Sequence, residues 1–493
     1  LKGGVRTLSI SVENIPQMAI DDLLVRIGDK TIEKLFKHIL TKEGDSREAL
    51  HTYIRNILQD NFYSADNLVD PFEIKSSFHR KRQTTKKNWF KKLKTDVENN
   101  KPNPIEDELE FMANIIERNG IDKDVKSVLH FDEPDIYIEN QLKKYEVWAK
   151  DKKSRLTDFP YLDKKQMYQI EKAFENDIVN IICEFLEENP KNNWLTVRPK
   201  EWVDNPVFSD DGKKMIKADG KEVIEIGPGK NNTQLYNDSK LSDNRFFRFF
   251  FDLGDGEEVK LDKVSPPDPI DNEILQYIME EMDNLFLSEK KIIVDLRGLL
   301  IEVYGHSGQK QYDLIEKRLK KIGRYSFEGT TVGQDNKTHV SFIYNLFQYV
   351  EIKTDELTGR KYVEIQFSDK LHERIVTRKT IAIYSPFFKR LENSLSKILI
   401  YAFQKERIDA YVNERNLKSS YDYSFFTDRI RFRSKRLESN LEKIESSLQD
   451  FKNAGVLIED YKRVGSSFNI TLTPLSKSEV ADLQKIEIIA LEA

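Results

Sequence analysis

Cysteine is almost missing from this chain: Cys183 is the single one among 493 residues. That count excludes an intramolecular disulfide framework and a cysteine-rich zinc site. Long apolar runs are missing too. The longest nearly apolar segments, such as Ile178–Leu186, fall far short of the ~20 residues a bilayer-spanning helix needs. Asp21, Asp22 and Arg26 interrupt the early apolar residues, so no secretory leader is expected and the cytoplasm is the expected compartment.

Catalytic signatures are equally sparse. The seven histidines (His38, His51, His79, His130, His306, His339 and His372) never fall two or four apart, which excludes a His-x-His pair and a His-Glu-x-x-His zinc helix. Gly227-Pro228-Gly229-Lys230-Asn231 lacks the Gly-x-x-x-x-Gly-Lys-Ser/Thr spacing of a phosphate loop and reads as a turn. Asp70, Glu73 and Lys75 form an Asp…Glu-x-Lys triplet of the kind metal-dependent nucleases use, but such triplets arise by chance in a chain that is 33% charged. No catalytic residue, metal or cofactor is therefore expected, and the chain reads as a binding protein rather than an enzyme.

An excess of one charge is lacking as well: 79 Lys+Arg stand against 84 Asp+Glu, a net −5. Any affinity for a polyanion must rest on local basic stretches. What the chain does have is aromatic mass, 29 Phe and 20 Tyr, enough to build cores despite the charge.

Two proline-rich stretches, Asn99–Pro104 and Ser265–Pro269, read as boundaries because neither continues a helix or a central strand. The expected fold class is α+β: a mixed N-terminal region, then two tandem winged-helix domains, each a helix-turn-helix with a β wing. The expected domains are 1–100 with a basic arm, 101–265 of mixed helix and hairpin, 270–380, 381–476, and a tail over 477–493. In the mixed region, Leu162–Glu188 has helical spacing ended by Pro190. Lys213–Ile226 and Arg245–Leu261 read as hairpins around Ala218-Asp219-Gly220 and Gly254-Asp255-Gly256.

After Pro269 one arrangement occurs twice. The first copy predicts helices over Asp271–Phe286, Val294–Tyr304 and Gln309–Ile322, with Gly305-His306-Ser307-Gly308 as the turn before the third. Strands follow at His339–Tyr344, Tyr349–Lys353 and Lys361–Phe367. The second copy opens near Asn393, continues with a short helix over Tyr423–Ile430 and a long one over Ser434–Ala454, and ends in a hairpin, Val456–Tyr461 with Phe468–Thr473. Leu437, Leu441, Ile444, Leu448 and Phe451 give the long helix one apolar stripe, and Gly455 suits a left-handed cap. Three helices, a turn and a hairpin are the helix-turn-helix plan with a wing.

The basic residues fall where such a plan meets DNA. Lys310, Lys317, Arg318, Lys320, Lys321 and Arg324 lie on or just after the third helix of the first copy, where a groove-bound helix needs cations for phosphates. The same pattern also describes a solvated helix face. Arg429, Arg431, Arg433, Lys435 and Arg436 put five cations in eight residues at the start of the long helix of the second copy. Their repulsion, added to the positive end of the helix, calls for an anion there, either a phosphate backbone or nearby acids such as Glu438 and Glu442. Ser439, Asn440 and Lys443 are candidates to read base edges. Arg360 and Lys361 mark the first wing, Lys462 and Arg463 the second. Upstream, His79–Lys94 carries eight Lys/Arg and no acid. Arg80, Lys81, Arg82, Lys86, Lys87, Lys91 and Lys92, with Trp89 and Phe90, suit an arm along nucleic acid or a solvated basic loop.

The run Ile322-Gly323-Arg324-Tyr325-Ser326-Phe327, then His339–Ile343, Phe347-Gln348-Tyr349, Tyr362–Ser368 and Tyr384–Leu391 leading into Ser394–Lys397, resembles plasmid replication initiators of the RepA/TrfA type. The resemblance covers about Asp271–Leu475. It implies binding to repeated double-stranded DNA sites at an origin, opening of adjacent duplex and recruitment of host helicase; host initiator proteins and a second copy of the chain, as a homodimer, are further candidate partners. A winged-helix transcriptional regulator with an N-terminal sensor or assembly region would use the same residues.

Overall fold

A computed structural model describes residues 15–40, 46–63, 70–119, 133–189, 194–204, 207–210, 233–240, 246–252, 267–282, 284–323, 325–332, 339–355, 359–377 and 380–492. The chain forms two compact units, Leu1–Pro190 and Lys191–Ala493. The proline-rich stretch at 99–104 lies inside the first unit and joins two helices; Pro267 and Pro269 lie inside the second.

The described residues of the first unit are helical: α1 (Gln17–Ile27), α2 (Asp29–His38), α3 (Ser46–Phe62), α4 (Pro71–Glu98), α5 (Pro104–Asn119), α6 (Pro134–Lys150) and α7 (Met167–Glu188). The periodic stretch expected over Leu162–Glu188 is α7 preceded by a 3-10 turn. Its apolar residues wrap more than one face: Ile170, Phe174, Ile178, Ile182 and Phe185 are buried, and so are Val179, Ile181, Cys183 and Leu186. Helices α1, α3 and α4 pack around it. Asp177, on the same helix, is withdrawn from water and accepts from the backbone N–H groups of Leu156 (3.0 Å) and Thr157 (2.8 Å). A second cluster joins Leu93, Ile105, Tyr137, Tyr145, Phe159 and Tyr161, with Trp89, Phe90 and Trp148 against it.

Among the described residues, strands begin at Leu195, in the second unit. Its elements are β1 (Leu195–Pro199), α8 (Lys200–Val203), β2 (Phe208–Ser209), β3 (Thr233–Lys240), β4 (Phe246–Asp252), α9 (Pro269–Glu280), α10 (Asn284–Glu289), β5 (Lys291–Asp295), α11 (Leu296–Tyr304), α12 (Gln309–Ile322), β6 (Tyr325–Val332), β7 (His339–Asn345), β8 (Phe347–Thr354) and β9 (Lys361–Phe367). Then come α13 (Asp369–Val376), β10 (Thr380–Tyr384), α14 (Ser385–Arg390), α15 (Ser394–Val412), β11 (Lys418–Tyr421), α16 (Tyr423–Thr427), β12 (Ile430–Arg431), α17 (Leu437–Ala454), β13 (Ile458–Val464), β14 (Ser467–Leu472) and α18 (Lys477–Glu492).

Two three-stranded antiparallel sheets share one order. In the first, β5-β9-β8, the strand before the helical turn pairs with the far strand of the later hairpin; in the second, β11-β14-β13, the same relation holds. Helices surround each sheet in the same sequence: α9, α11 and α12 for the first, α15, α16 and α17 for the second. Strands β5 and β11 were not expected from the sequence. Neither was the use of the aromatic strand β4, which pairs with β3 upstream and with β6, an insertion between α12 and β8, giving the sheet β3-β4-β6-β7. The Lys213–Ile226 hairpin, the Gly227–Asn231 turn and the Gly254 turn lie outside the described residues.

One apolar core runs through both copies. Helices α9 and α15 pack together: Tyr401 Oη donates to Gln276 Oε1 at 2.8 Å, and Lys397 lies 3.0 Å from Glu273. The residues expected as a tail form α18, held where the buried Arg407 guanidinium forks onto Glu479 at 2.8 and 2.9 Å.

Candidate nucleic-acid interface

Helix α12 has the bounds its spacing predicts. Gly305, at φ 74°, supplies the left-handed turn that stops α11, a conformation that would strain a side chain. Ile315, Leu319 and Ile322 face the core, which leaves Lys310, Lys317 and Lys320 in solvent. Lys320 pairs with Glu316 one turn back (2.9 Å). Lys310 and Lys317 have no ion partner among the described residues.

Arg318 and Lys321, expected to contact DNA, point the other way. Arg318 Nη1 donates to both carboxylate oxygens of Asp268 (2.8 and 2.9 Å) and to Asp271 Oδ1 (2.7 Å), and Lys321 binds the other oxygen of Asp271. Those two acids also form the capping box of α9, accepting from its first backbone N–H groups, and their side chains are 4% and 0% exposed. Burial alone would lower the Arg318 guanidinium; Asp271 and Asp268 more than offset it and hold it above its ordinary value. Two carboxylates withdrawn from water at one helix end require cations, and α12 supplies them. Arg324 lies outside the described residues. On the wing, Lys361 stands half-buried over the Tyr312 ring (5.5 Å), while Arg360 is exposed beside the Gly359 turn. Lys353 at 2.6 Å, then Lys291 and Tyr349, hold the Glu364 carboxyl down at about 2, so this sheet face is neutralised from within.

The cation cluster of the second copy divides. Arg429 is stacked 3.8 Å over Phe425, donates to its carbonyl (2.9 Å) and approaches Glu406 (3.8 Å) and Asp204 (3.9 Å). Arg431 lies in the short parallel pairing of β12 with β2. The backbone N–H of Arg433 donates to Asp210 Oδ1 (2.8 Å), and Lys443 binds the other oxygen of that nearly inaccessible carboxylate. Arg463 Nη2 donates to both carboxylate oxygens of Glu438, each at 2.7 Å. Asn440, expected to read a base, is 2% exposed and donates to Tyr423 Oη (2.7 Å) and the Ser434 carbonyl (2.9 Å), fixing the loop that precedes α17. Ser439 is half-buried beside it, and Leu437, expected in the apolar stripe, is 47% exposed. Lys435, Arg436 and Lys462 remain exposed, with no ion partner among the described residues. Of the two anions the sequence left open for this cluster, acids answer at least Arg429, through Glu406 and Asp204, neither of them the Glu438 or Glu442 named from the sequence.

The expected arm at 79–94 is the middle of α4. Arg82 and Lys86 are buried and Trp89 lies against the second core; Arg80, Lys81, Lys87, Lys91 and Lys92 are exposed. The nuclease-like triplet does not converge. Asp70 caps α4 by accepting from Phe72 N–H (2.9 Å), Lys75 pairs with Glu187 (2.6 Å), and Glu73 is exposed. Among the described residues no three His, Cys, Asp or Glu side chains gather as a metal site, and no helix is long and apolar enough to cross a membrane.

No protein-family model matches the chain, and no curated protein matches it. Solved structures of RctB domains 2 and 3 are similar over part of it. One has 9% identity and a TM-score of 0.31, covering 53% of this chain and 97% of its own; another, a selenomethionine derivative, has 8% identity and a TM-score of 0.32, covering 50% and 94%. At those values the likeness carries no functional argument.

Proposed function

We propose that the second unit binds double-stranded DNA through two tandem winged-helix modules and that the protein is a replication initiator acting at origin repeats. The observation that carries the reading is the sheet order found twice, β5-β9-β8 and β11-β14-β13, each with a helix, a turn and a further helix placed between its first strand and its hairpin. In that plan the helix after the turn enters a major groove and the hairpin touches the flanking backbone. Lys310 and Lys317 project from α12, while Lys435, Arg436 and Lys462 stand at the start of α17 and on its wing, all in solvent. The initiator role extends the sequence resemblance. The reading invokes no cofactor and no catalytic step.

The test is a salt titration of duplex binding with the Lys310→Gln/Lys317→Gln variant. Every phosphate that no longer meets a cation lowers the slope of log K against log salt by about 0.9, so the slope should fall by about 2 on every sequence. An unchanged slope and affinity would remove α12 from the interface. A plasmid carrying the gene and its flanking repeats then separates initiator from regulator: tight binding without autonomous replication favours a transcriptional regulator.

A further inference from the structure

The strongest unassigned feature of the first unit is the outward face of α4. This 28-residue helix is about 42 Å long. From Lys75 to Lys94 it carries nine Lys/Arg and no Asp or Glu. The fold sorts these cations into two sets. Arg82 and Lys86 turn inward onto carbonyls: Arg82 Nη2 donates to Lys152 O (3.0 Å), and Lys86 Nζ to Ser154 O (3.1 Å), Ser154 Oγ (2.7 Å) and Asp151 O (2.5 Å). Arg80, Lys81, Lys87, Lys91 and Lys92 stand in solvent, with no ion partner among the described residues.

Arg80, Lys87, Lys91 and Lys94 fall within a stripe about 60° wide on the helix surface. Among the described residues an acid approaches this stripe at its C-terminal end, where Lys94 lies 3.7 Å from Glu98 and within the field of Glu146.

A helix that needs only solubility mixes its charges, as α6 does with Glu139–Lys143 (2.6 Å) and Glu146–Lys150 (2.5 Å). On α4, Lys87 and Lys91 sit one turn apart and repel. The aromatic residues of the stretch are not available as a platform for unstacked bases: Trp89 packs 5.2 Å from Phe159 in the core, and Phe90 lies against the same cluster. Single strands are held by such platforms, whereas a duplex backbone needs only the cations.

The geometry points to the outward face of α4 as a second, sequence-independent docking surface for the phosphate backbone of duplex DNA. It rests on observations independent of α12 and survives if the α12 reading fails.

The experiment uses the full chain, a duplex of unrelated sequence, and a single strand of equal length, with affinity followed across salt. Arg80→Gln/Lys87→Gln/Lys91→Gln should lower the duplex salt slope by about 2.7 and leave thermal unfolding unchanged. Lys87→Arg/Lys91→Arg, which keeps the charge, should keep the slope. The Lys310→Gln/Lys317→Gln chain should still respond to the α4 substitutions. An unchanged duplex slope in the folded triple variant would overturn the proposal, as would a larger loss on the single strand than on the duplex or a loss of slope in the Arg-for-Lys variant.

Discussion

Arg318 separates scaffold from interface most sharply. Arg318→Met keeps the aliphatic stem and removes the guanidinium, leaving Asp268 with the backbone donors of α9 and Asp271 with Lys321. Breaking a buried pair from one side costs about 3–5 kcal/mol, because a charge stays behind without its partner. Arg318 is itself 22% exposed and Lys321 remains, which places the expected loss at the lower end, about 3 kcal/mol. That equals roughly two powers of ten in an opening equilibrium. Hydrogen exchange read peptide by peptide should therefore show α9 and α12 losing about 100-fold protection while the first unit keeps its own. Asp268→Asn on top of Arg318→Met should restore part of the loss, a coupling of about 1–3 kcal/mol. Duplex affinity per folded molecule should be unchanged. Full protection of α9 and α12 combined with lost DNA binding would refute the reasoning and return Arg318 to the interface.

Asp177 predicts a pH dependence confined to the first unit. Burial, set against the Thr157 and Leu156 N–H bonds, pushes its carboxyl up from 3.8 to about 6. Between those values the unfolded chain has released the proton and the folded chain still holds it, so stability falls as pH rises and levels off above about pH 6. Measured by urea unfolding, the stability of the natural chain relative to Asp177→Asn should drop by about 2 kcal/mol from about pH 4 to about pH 7; a flat difference would show that the group is ionised throughout. Asn440→Ala should destabilise the second unit by about 1–3 kcal/mol, since the Ser434 carbonyl and the Tyr423 hydroxyl lose their partner. It should leave base preference in a binding selection unaltered; altered preference at full stability would place Asn440 on DNA after all.

The split in outcome between helices and cations has one physical origin, the sequence distance of the partner. Helix α12 and the Gly455 cap are set by neighbours a few residues away, by the stripe Ile315, Leu319, Ile322 and by a backbone at φ 63°, so they can be read along the chain. Strand β11 cannot: Lys418-Ser419-Ser420-Tyr421 has no alternation, and it is a strand because β14, about fifty residues later, offers it an edge. Counterions behave like β11. The run Arg429–Arg436 invited a search for acids close by, yet the acids that approach Arg429 are Glu406 and Asp204, the latter more than 220 residues upstream, and nearby Glu438 is taken by Arg463. Arg318 likewise answers acids 47 and 50 residues before it. A crowded run of cations therefore reports that anions are needed without saying whose. Once the internal ones are subtracted, the outward surface of α17 keeps exposed Glu438 and Glu442 beside Lys435 and Arg436, whereas that of α12 keeps Lys310 and Lys317 against Asp313 and pairs Lys320 with Glu316. On the proposed reading the weight of phosphate binding would thus fall less on the second module, where the sequence concentrates its charge, than on the first, and that is why α12 is the helix on which the proposal stands or falls.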